Sequence, residues 1–505
     1  MSLNLAMQFS RRSALKKGGL AAASLFSAPI LFSKAFTDSP LTSPAKEQSK
    51  IFSIREIYCP AHFGNSYEAM WPREMKAYLT ELKWWGFNRY SDWITTTDIR
   101  NPYVSDATWD LATEQLDRKK KAFLPAQELG LELNLILTTN HVYLDQLRPE
   151  MAATKSEKIF GQLVCPSQPA GRKVILENAE SWFRDLAQSA LQFSAWTAFA
   201  YDYGGCACAK CNPWILTFAR LTKDIQTIAQ KYHPKIEPWF CSWWWTPEEH
   251  AQINDWANTE APDWLKGISL HLEYGQTRFK DVAVPRGCRK IAFVHNGYAD
   301  TLKFGDIYTK WGPVIAPQRI PKTLKDIAAQ GADGFQAYSE GVYDDANKAL
   351  LGGISSGKFP DAKSVLQSYA TRYFSAKDEQ LEPWSNWLST WGNRKEVRLP
   401  GAAVKFEKLS QGASGGWRLE HWRSKVKLET LDRSIGLPRV HEWNAKNLEL
   451  VDEFWAEQEN LQRAIYKLGP VRHVFARKFQ APKWYDSWQK ATKAAPKQES
   501  LPPEA

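Results

Sequence analysis

From Ile51 to about residue 356 the chain repeats one pattern. A short run of apolar, β-branched and aromatic residues ends in polar or aromatic positions, and a longer stretch follows with apolar residues three and four apart. The runs are REIYCPAHFG (55–64), FNRYSDWI (87–94), LELNLILTTNH (131–141), AFAYDYGG (198–205), IEPWFCSWWW (236–245), GISLHLEYG (267–275), IAFVHNGYAD (291–300) and GFQAYSEGVYDD (334–345). Segments such as REMKAYLTELKWWG and ENAESWFRDLAQSALQFS have helical spacing between them. Continuous apolar runs alternating with helices indicate parallel strands buried on both faces. Eight such units predict an α/β fold, a (β/α)₈ TIM barrel over 51–360. No G-x-G-x-x-G follows the first run, which argues against a dinucleotide-binding sheet.

Outside that region the pattern changes twice. Past residue 360 the spacing is helical throughout, as in DAKSVLQSYATRYFSAKDEQLEPWSNWLSTWG and ELVDEFWAEQENLQRAIYKLG, so 361–480 reads as an α-helical C-terminal domain. The end, 481–505, is low in complexity and reads as a disordered tail. At the start, Arg11-Arg12 precede a weakly apolar run of about 15 residues, short of the roughly 20 that span a bilayer. Ser33-Lys34-Ala35 is a small-x-small cleavage site, so 1–35 reads as a twin-arginine signal peptide. Residues 36–50 read as a Pro/Ser linker, and the mature chain is expected in the periplasm or outside the cell. The net charge of +10 owes half its value to Arg11, Arg12, Lys16, Lys17 and Lys34. The remaining basic residues alternate with acids, which describes a solvated surface and no nucleic-acid partner. No later segment is apolar and long enough to span a membrane.

Chemistry in this fold gathers where strands end and βα loops begin. There the sequence places His62, Asp92-Trp93, Asn140-His141, Asp202-Tyr203, Trp243-Trp244-Trp245, His271, Glu273-Tyr274, His295-Asn296, Tyr338 and Glu340. Carboxylates, imidazoles, an amide and flat rings suit a sugar, and 24 Trp leave ample rings for both core and stacking. Glycoside cleavage needs two carboxyl groups flanking one bond. Asp202, Glu273 and Glu340 are the candidates, from strands of one parity that share a barrel layer. Asp202 or Glu273 is assigned as general acid and Glu340 as its partner. The acid needs a raised pKa, which apolar burial by the Trp243–Trp245 cluster would supply. Trp93, Tyr203, Trp244, Trp245, Tyr274 and Tyr338 are the candidate sugar platforms, and Asp92, His141, His271 and Asn296 the candidate hydroxyl partners. Asp344 and Asp345 read as N-caps of the following helix.

Seven cysteines leave at least one unpaired. Cys206, Cys208 and Cys211, in C-A-C-A-K-C, are spaced for a metal or a clasp, with Cys165 available as a fourth ligand. Two readings stay open: a structural zinc, or a disulfide fastening two neighbouring loops. No cofactor is expected for catalysis itself.

The segments VCPSQPAGRKVI, Asp202 with Gly204-Gly205 and C-A-C-A-K-C, and YSEGVYDDANKAL, with the helical segment after the barrel, are where the chain resembles bacterial (β/α)₈-barrel glycoside hydrolases related to families 20, 84 and 163. The last of these are N-acetylglucosaminidases. Families 20 and 84 carry paired acids after strand 4, whereas this chain has Asp202-Tyr203. The resemblance therefore implies the fold and the reaction class, and passes the second carboxylate role to Glu273 or Glu340. The expected function is hydrolysis of glycosidic bonds in a polysaccharide or glycoconjugate. The alternatives are a non-catalytic carbohydrate-binding barrel, or a polysaccharide lyase with a Tyr or His base.

Overall fold

The computed structural model describes residues 50–60, 67, 70–94, 100–104, 111–155, 163–201, 204–271, 281–301, 313–339, 341–393, 401–413, 415–435, 449–454, 456–457 and 460. Eight strands close into a barrel in which every neighbouring pair is parallel: β1 Ile54–Tyr58, β2 Arg89–Trp93, β3 Glu132–Thr138, β4 Phe193–Phe199, β5 Glu237–Cys241, β6 Gly267–His271, β7 Arg289–His295 and β8 Gly334–Tyr338. Strand β8 returns to β1 with Tyr338 beside Tyr58. The helices between strands are α1 Pro72–Trp85, α2 Leu111–Glu128, α3 Pro169–Gln188, α4 Trp214–Tyr232, α5 Pro247–Thr259 and α6 Arg319–Ala329. After β8 come α7 Asp345–Ser355, α8 Ala362–Phe374, α9 Asp378–Thr390, α10 Ala402–Ser410 and α11 Trp417–Ile435. No helix among the described residues is long and apolar enough to cross a membrane.

The helix ends carry their own signals. Helix α1 has Pro72 in its first turn and ends on Gly86, whose φ of 115° suits glycine. Helix α5 begins with a capping box: Thr246 Oγ1 accepts from Glu249 N at 3.2 Å, and the Glu249 carboxylate accepts from Thr246 N at 2.7 Å.

One expected boundary moves. The sequence pattern puts the fourth run at 198–205 and carries the preceding helix to Ser194, but β4 begins at Phe193, and Leu191 to Ser194 belong to the turn and the strand. Helix α3 ends on Gln188, and Ala190 takes the left-handed turn conformation at φ 57°. No Gly or Pro punctuates this stretch, so helical and strand patterns run together.

The barrel interior is layered. Alternate side chains point inward. At the amino-terminal end, Ile54, Ala195, Trp239 and Ile291 form a small apolar cluster, with Arg89 and Arg289 stacked over the Trp239 ring at 4.7 and 4.8 Å. Gly267 leaves room for that indole, since a Cβ there would lie 2.3 Å from the ring. The middle layer is polar. Glu56 accepts from Asn134 Nδ2 at 2.8 Å and Gln336 Nε2 at 2.6 Å, Asn134 Nδ2 donates to Thr197 Oγ1 at 2.9 Å, and Ser269 donates to Gln336 at 3.0 Å. Arg89 lies 3.6 Å from Glu56, and both are buried. Above them Tyr58, Trp93, Phe199, Phe293 and Tyr338 close the carboxy-terminal end with ring centroids 5.3–6.4 Å apart.

The helices after β8 pack through an aromatic core of Phe374, Trp384, Trp387, Trp391, Phe406 and Trp422. Much of the tryptophan content is therefore structural. Asp345 joins α7 to α11 through a two-pronged pair with Arg418, at 2.6 and 3.0 Å, and accepts from Tyr369 at 2.8 Å. Burial alone would push the Asp345 carboxyl up, but Arg418, together with Lys348 and Tyr369, holds it below the ordinary value.

Candidate functional site

The described part of the mouth centres on Trp243, the second residue past β5. Its ring lies 4.3 Å from His271, 5.3 Å from His295 and 5.6 Å from Phe293. His271 ends β6 and His295 ends β7, both on the inward-facing register, with their rings 5.8 Å apart. Trp244 stacks on Trp243 at 5.6 Å and is 40 % exposed. Its φ of 60° puts a bulky residue in the left-handed region, where such side chains are rare. The turn after β5 thus holds one indole inside the mouth and one on its rim.

Both histidines are neutral. Burial pushes the His271 imidazole down to about 4. Burial, with His271 and Arg319 nearby, takes His295 to about 3. His141, beyond β3, is buried and lowered to about 3 for the same first reason. At neutral pH these rings offer one donor and one acceptor each, not a charge. Asn296 follows His295 and is fully buried. Its backbone N–H donates to Tyr338 O at 2.9 Å and its carbonyl accepts from Asn347 at 2.6 Å. Its side-chain oxygen and nitrogen have no hydrogen-bond partner among the described residues. A buried amide with both ends unmatched is costly and needs an explanation. At the carboxy-terminal end of a barrel strand, a ligand partner is one.

These histidines, held neutral by their surroundings, set an acid limit on stability. Below about 6.5 the unfolded chain takes up protons that the native rings refuse. The unfolded state then binds more protons, so stability is full above that value and falls as pH drops towards about 3, by up to about 1.4 kcal/mol per pH unit for each such ring. The urea midpoint is expected to be lower at pH 5 than at pH 7, and His295→Gln should shrink that difference. A midpoint that does not move with pH would refute this account.

Several expected positions sit elsewhere than in the mouth. Asp92 precedes the inward Trp93, so it points outward. It accepts from Trp93 N at 2.7 Å and meets Lys119 of α2 at 3.5 Å, with both groups buried. Trp93 is 7 % exposed and donates to the Tyr58 hydroxyl, making it part of the aromatic floor and not an open platform. Trp245 turns back against Phe218, Phe240 and His250, at 6.5, 6.0 and 5.1 Å. Tyr338 is half-buried beside His295 at 5.4 Å and Phe293 at 5.7 Å. Asp344 and Asp345 make no side-chain cap on α7. Both are committed to buried ion pairs instead, Asp344 with Lys348 at 2.6 Å. His62, Asp202, Tyr203, Glu273, Tyr274 and Glu340 lie outside the described residues.

The chain on both sides of residue 340, and just past residue 203, is held by hydrogen bonds. Ser339 N donates to Tyr58 O at 3.0 Å, and its hydroxyl lies 2.6 Å from Tyr67 OH and 2.9 Å from Asp344. Gly341, at φ 151°, offers its carbonyl to Lys348 at 2.8 Å and Tyr67 at 3.0 Å. Lys348 is fully buried and also donates to Tyr67 and, at 2.8 Å, to Tyr78. Past residue 203, Gly205 exchanges two hydrogen bonds with Asn140, at 3.0 and 2.8 Å. Strand-end reading misses Lys348 and gives Trp243 too small a part. The sequence offers Trp243 only as cover for an acid, and Lys348 lies within a helix ten residues beyond its strand.

No protein-family model matches the chain, and no curated protein matches it. Among solved structures, the GH20 β-N-acetylhexosaminidase of Streptomyces coelicolor is similar at 13% identity and a TM-score of 0.40, covering 64% of this chain and 68% of that one. A GH138 enzyme targeting pectin rhamnogalacturonan II is similar at 10% identity and 0.46, over 88% of this chain and 61% of that one. A GH20 module of a pneumococcal exo-β-D-N-acetylglucosaminidase is similar at 10% and 0.38, over 73% and 100%.

Proposed function

We propose that the chain is an exported glycoside hydrolase, acting on a polysaccharide or glycoconjugate, with Asp202, Glu273 and Glu340 as its acid/base carboxylates. The observation that carries the proposal is the composition of the mouth. Trp243, Trp244 and Tyr338 present ring faces, while neutral His271 and His295 and the unmatched Asn296 amide offer donors and acceptors without charge. A sugar presents both apolar C–H faces and hydroxyls that donate and accept, so it answers both sets at once. In the sequence, the three acids follow β4, β6 and β8, two of them within a few residues of these groups. In this reading His141 and His271 bond hydroxyls, Trp244 and Tyr338 stack, and residues 1–35 direct twin-arginine export.

The test is a screen of the purified chain against a panel of poly- and oligosaccharides, reading new reducing ends. Release from at least one glycan is the expected result. Glycan binding with no bond cleavage would show a carbohydrate-binding barrel instead. An unsaturated product absorbing in the ultraviolet would show a lyase.

A further inference from the structure

Four cysteine sulfurs meet in the loops that follow β3 and β4. Cys165 lies in the connection from β3 to α3; Cys206, Cys208 and Cys211 lie in the connection from β4 to α4. The Cys165 sulfur is 3.7 Å from those of Cys208 and Cys211, and all four lie within 4.8 Å of one another. Four thiolates around one zinc, each at about 2.3 Å, stand about 3.8 Å apart at tetrahedral angles. A disulfide needs about 2.05 Å and joins only two of them. We propose that Cys165, Cys206, Cys208 and Cys211 bind a single structural zinc ion that staples these two loops together.

The surroundings are built for such an ion. Cys165, Cys206 and Cys211 are buried, and Cys208 is partly so. With four protein sulfurs in place no coordination position remains open, which marks a structural centre and not a catalytic one. The sulfurs have partners of the kind that tune metal thiolates: the Ser167 hydroxyl lies 2.8 Å from Cys211, and the backbone amides of Cys208 and Thr154 point at Cys206. Backbone bonds fix the frame, with Cys165 N donating to Met151 O at 2.7 Å, Ala207 N to Thr154 O at 2.8 Å and Cys211 N to Cys208 O at 3.0 Å. Asn140 independently ties the same two segments, donating to Val164 O at 3.0 Å and Gly205 O at 2.8 Å, each next to a cysteine. The centre is thus anchored to the β3 tip and sets the path of the chain as it leaves β4.

Metal analysis of the purified full chain is expected to give about one zinc per molecule. Growth with cobalt in place of zinc should give the visible absorption bands of a tetrahedral thiolate site. Alkylation after denaturation in chelator, without reductant, should label all seven cysteines. In Cys208→Ser, zinc retention should weaken by at least about tenfold. Wild-type chain with no stoichiometric metal, or with any of the four sulfurs resistant to alkylation until reduced, would overturn the proposal. Because the wild-type measurements stand alone, a variant that fails to fold does not blunt the test.

Discussion

Asp202→Asn, Glu273→Gln and Glu340→Gln, made singly, are each expected to lower turnover of a glycan substrate by about 10²–10⁴-fold, the usual share of a general acid or base. Each amide keeps the shape of the acid and removes only its proton chemistry. Folding should survive the change at position 340, since Ser339 and Gly341 are anchored by Tyr58, Tyr67 and Lys348 through groups that do not involve the side chain at 340. The measurement is kcat on the glycan found by the screen, alongside the urea midpoint. Full activity in all three variants would remove these residues from the mechanism. A loss of activity matched by a loss of stability would make the effect structural.

Lys348→Met should cost the native state about 3–5 kcal/mol. Its ammonium is fully buried and answers Asp344, Tyr67, Tyr78 and the Gly341 carbonyl together. Replacing one partner of a buried pair strands the other charge in a low-dielectric interior, and that penalty, not the lost attraction, dominates. Burial already pushes the Asp344 carboxyl above its ordinary value even with Lys348 beside it. Pairing Lys348→Met with Asp344→Leu should therefore recover much of the loss, because no charge is left behind. Urea unfolding of the wild type, both single variants and the double variant measures the coupling. Strictly additive effects, each under about 1 kcal/mol, would show that the pair does not act as a unit.

The anchoring cluster also bears on how the mouth is assembled. Lys348 sits on α7, Tyr78 on α1, Tyr67 between β1 and α1, and Ser339 at the tip of β8. The first and last barrel units are thus joined by polar contacts at the end where the site lies, in addition to the β1–β8 ladder. Asn140 does the same between the third and fourth units on the other side. Two of the loops that carry expected acids, after β4 and after β8, are each flanked by one of these fastenings. Held backbone on either side of a reacting group is what keeps its geometry productive.

The alternation of apolar runs with helical stretches was enough to determine the barrel, because each strand and helix writes its period into a few adjacent residues. Closure also followed, since eight parallel strands buried on both faces have few other arrangements. The spacing of C-A-C-A-K-C and the pairing of polar with aromatic residues at strand ends were legible for the same local reason. What tertiary structure alone decided was direction and partnership. Asp92 and Trp93 are neighbours, yet one faces α2 and the other the barrel floor, and Trp244 and Trp245 part in the same way. A one-residue change in where a strand begins reverses every such assignment, and β4 began five residues before its expected place. Asp344 and Asp345 looked like caps because that motif is local, but Lys348 and, 73 residues away, Arg418 claimed their carboxylates. A buried charge goes to whichever opposite charge the fold brings within reach, and that distance is set by packing across the whole barrel, not by neighbours in the chain.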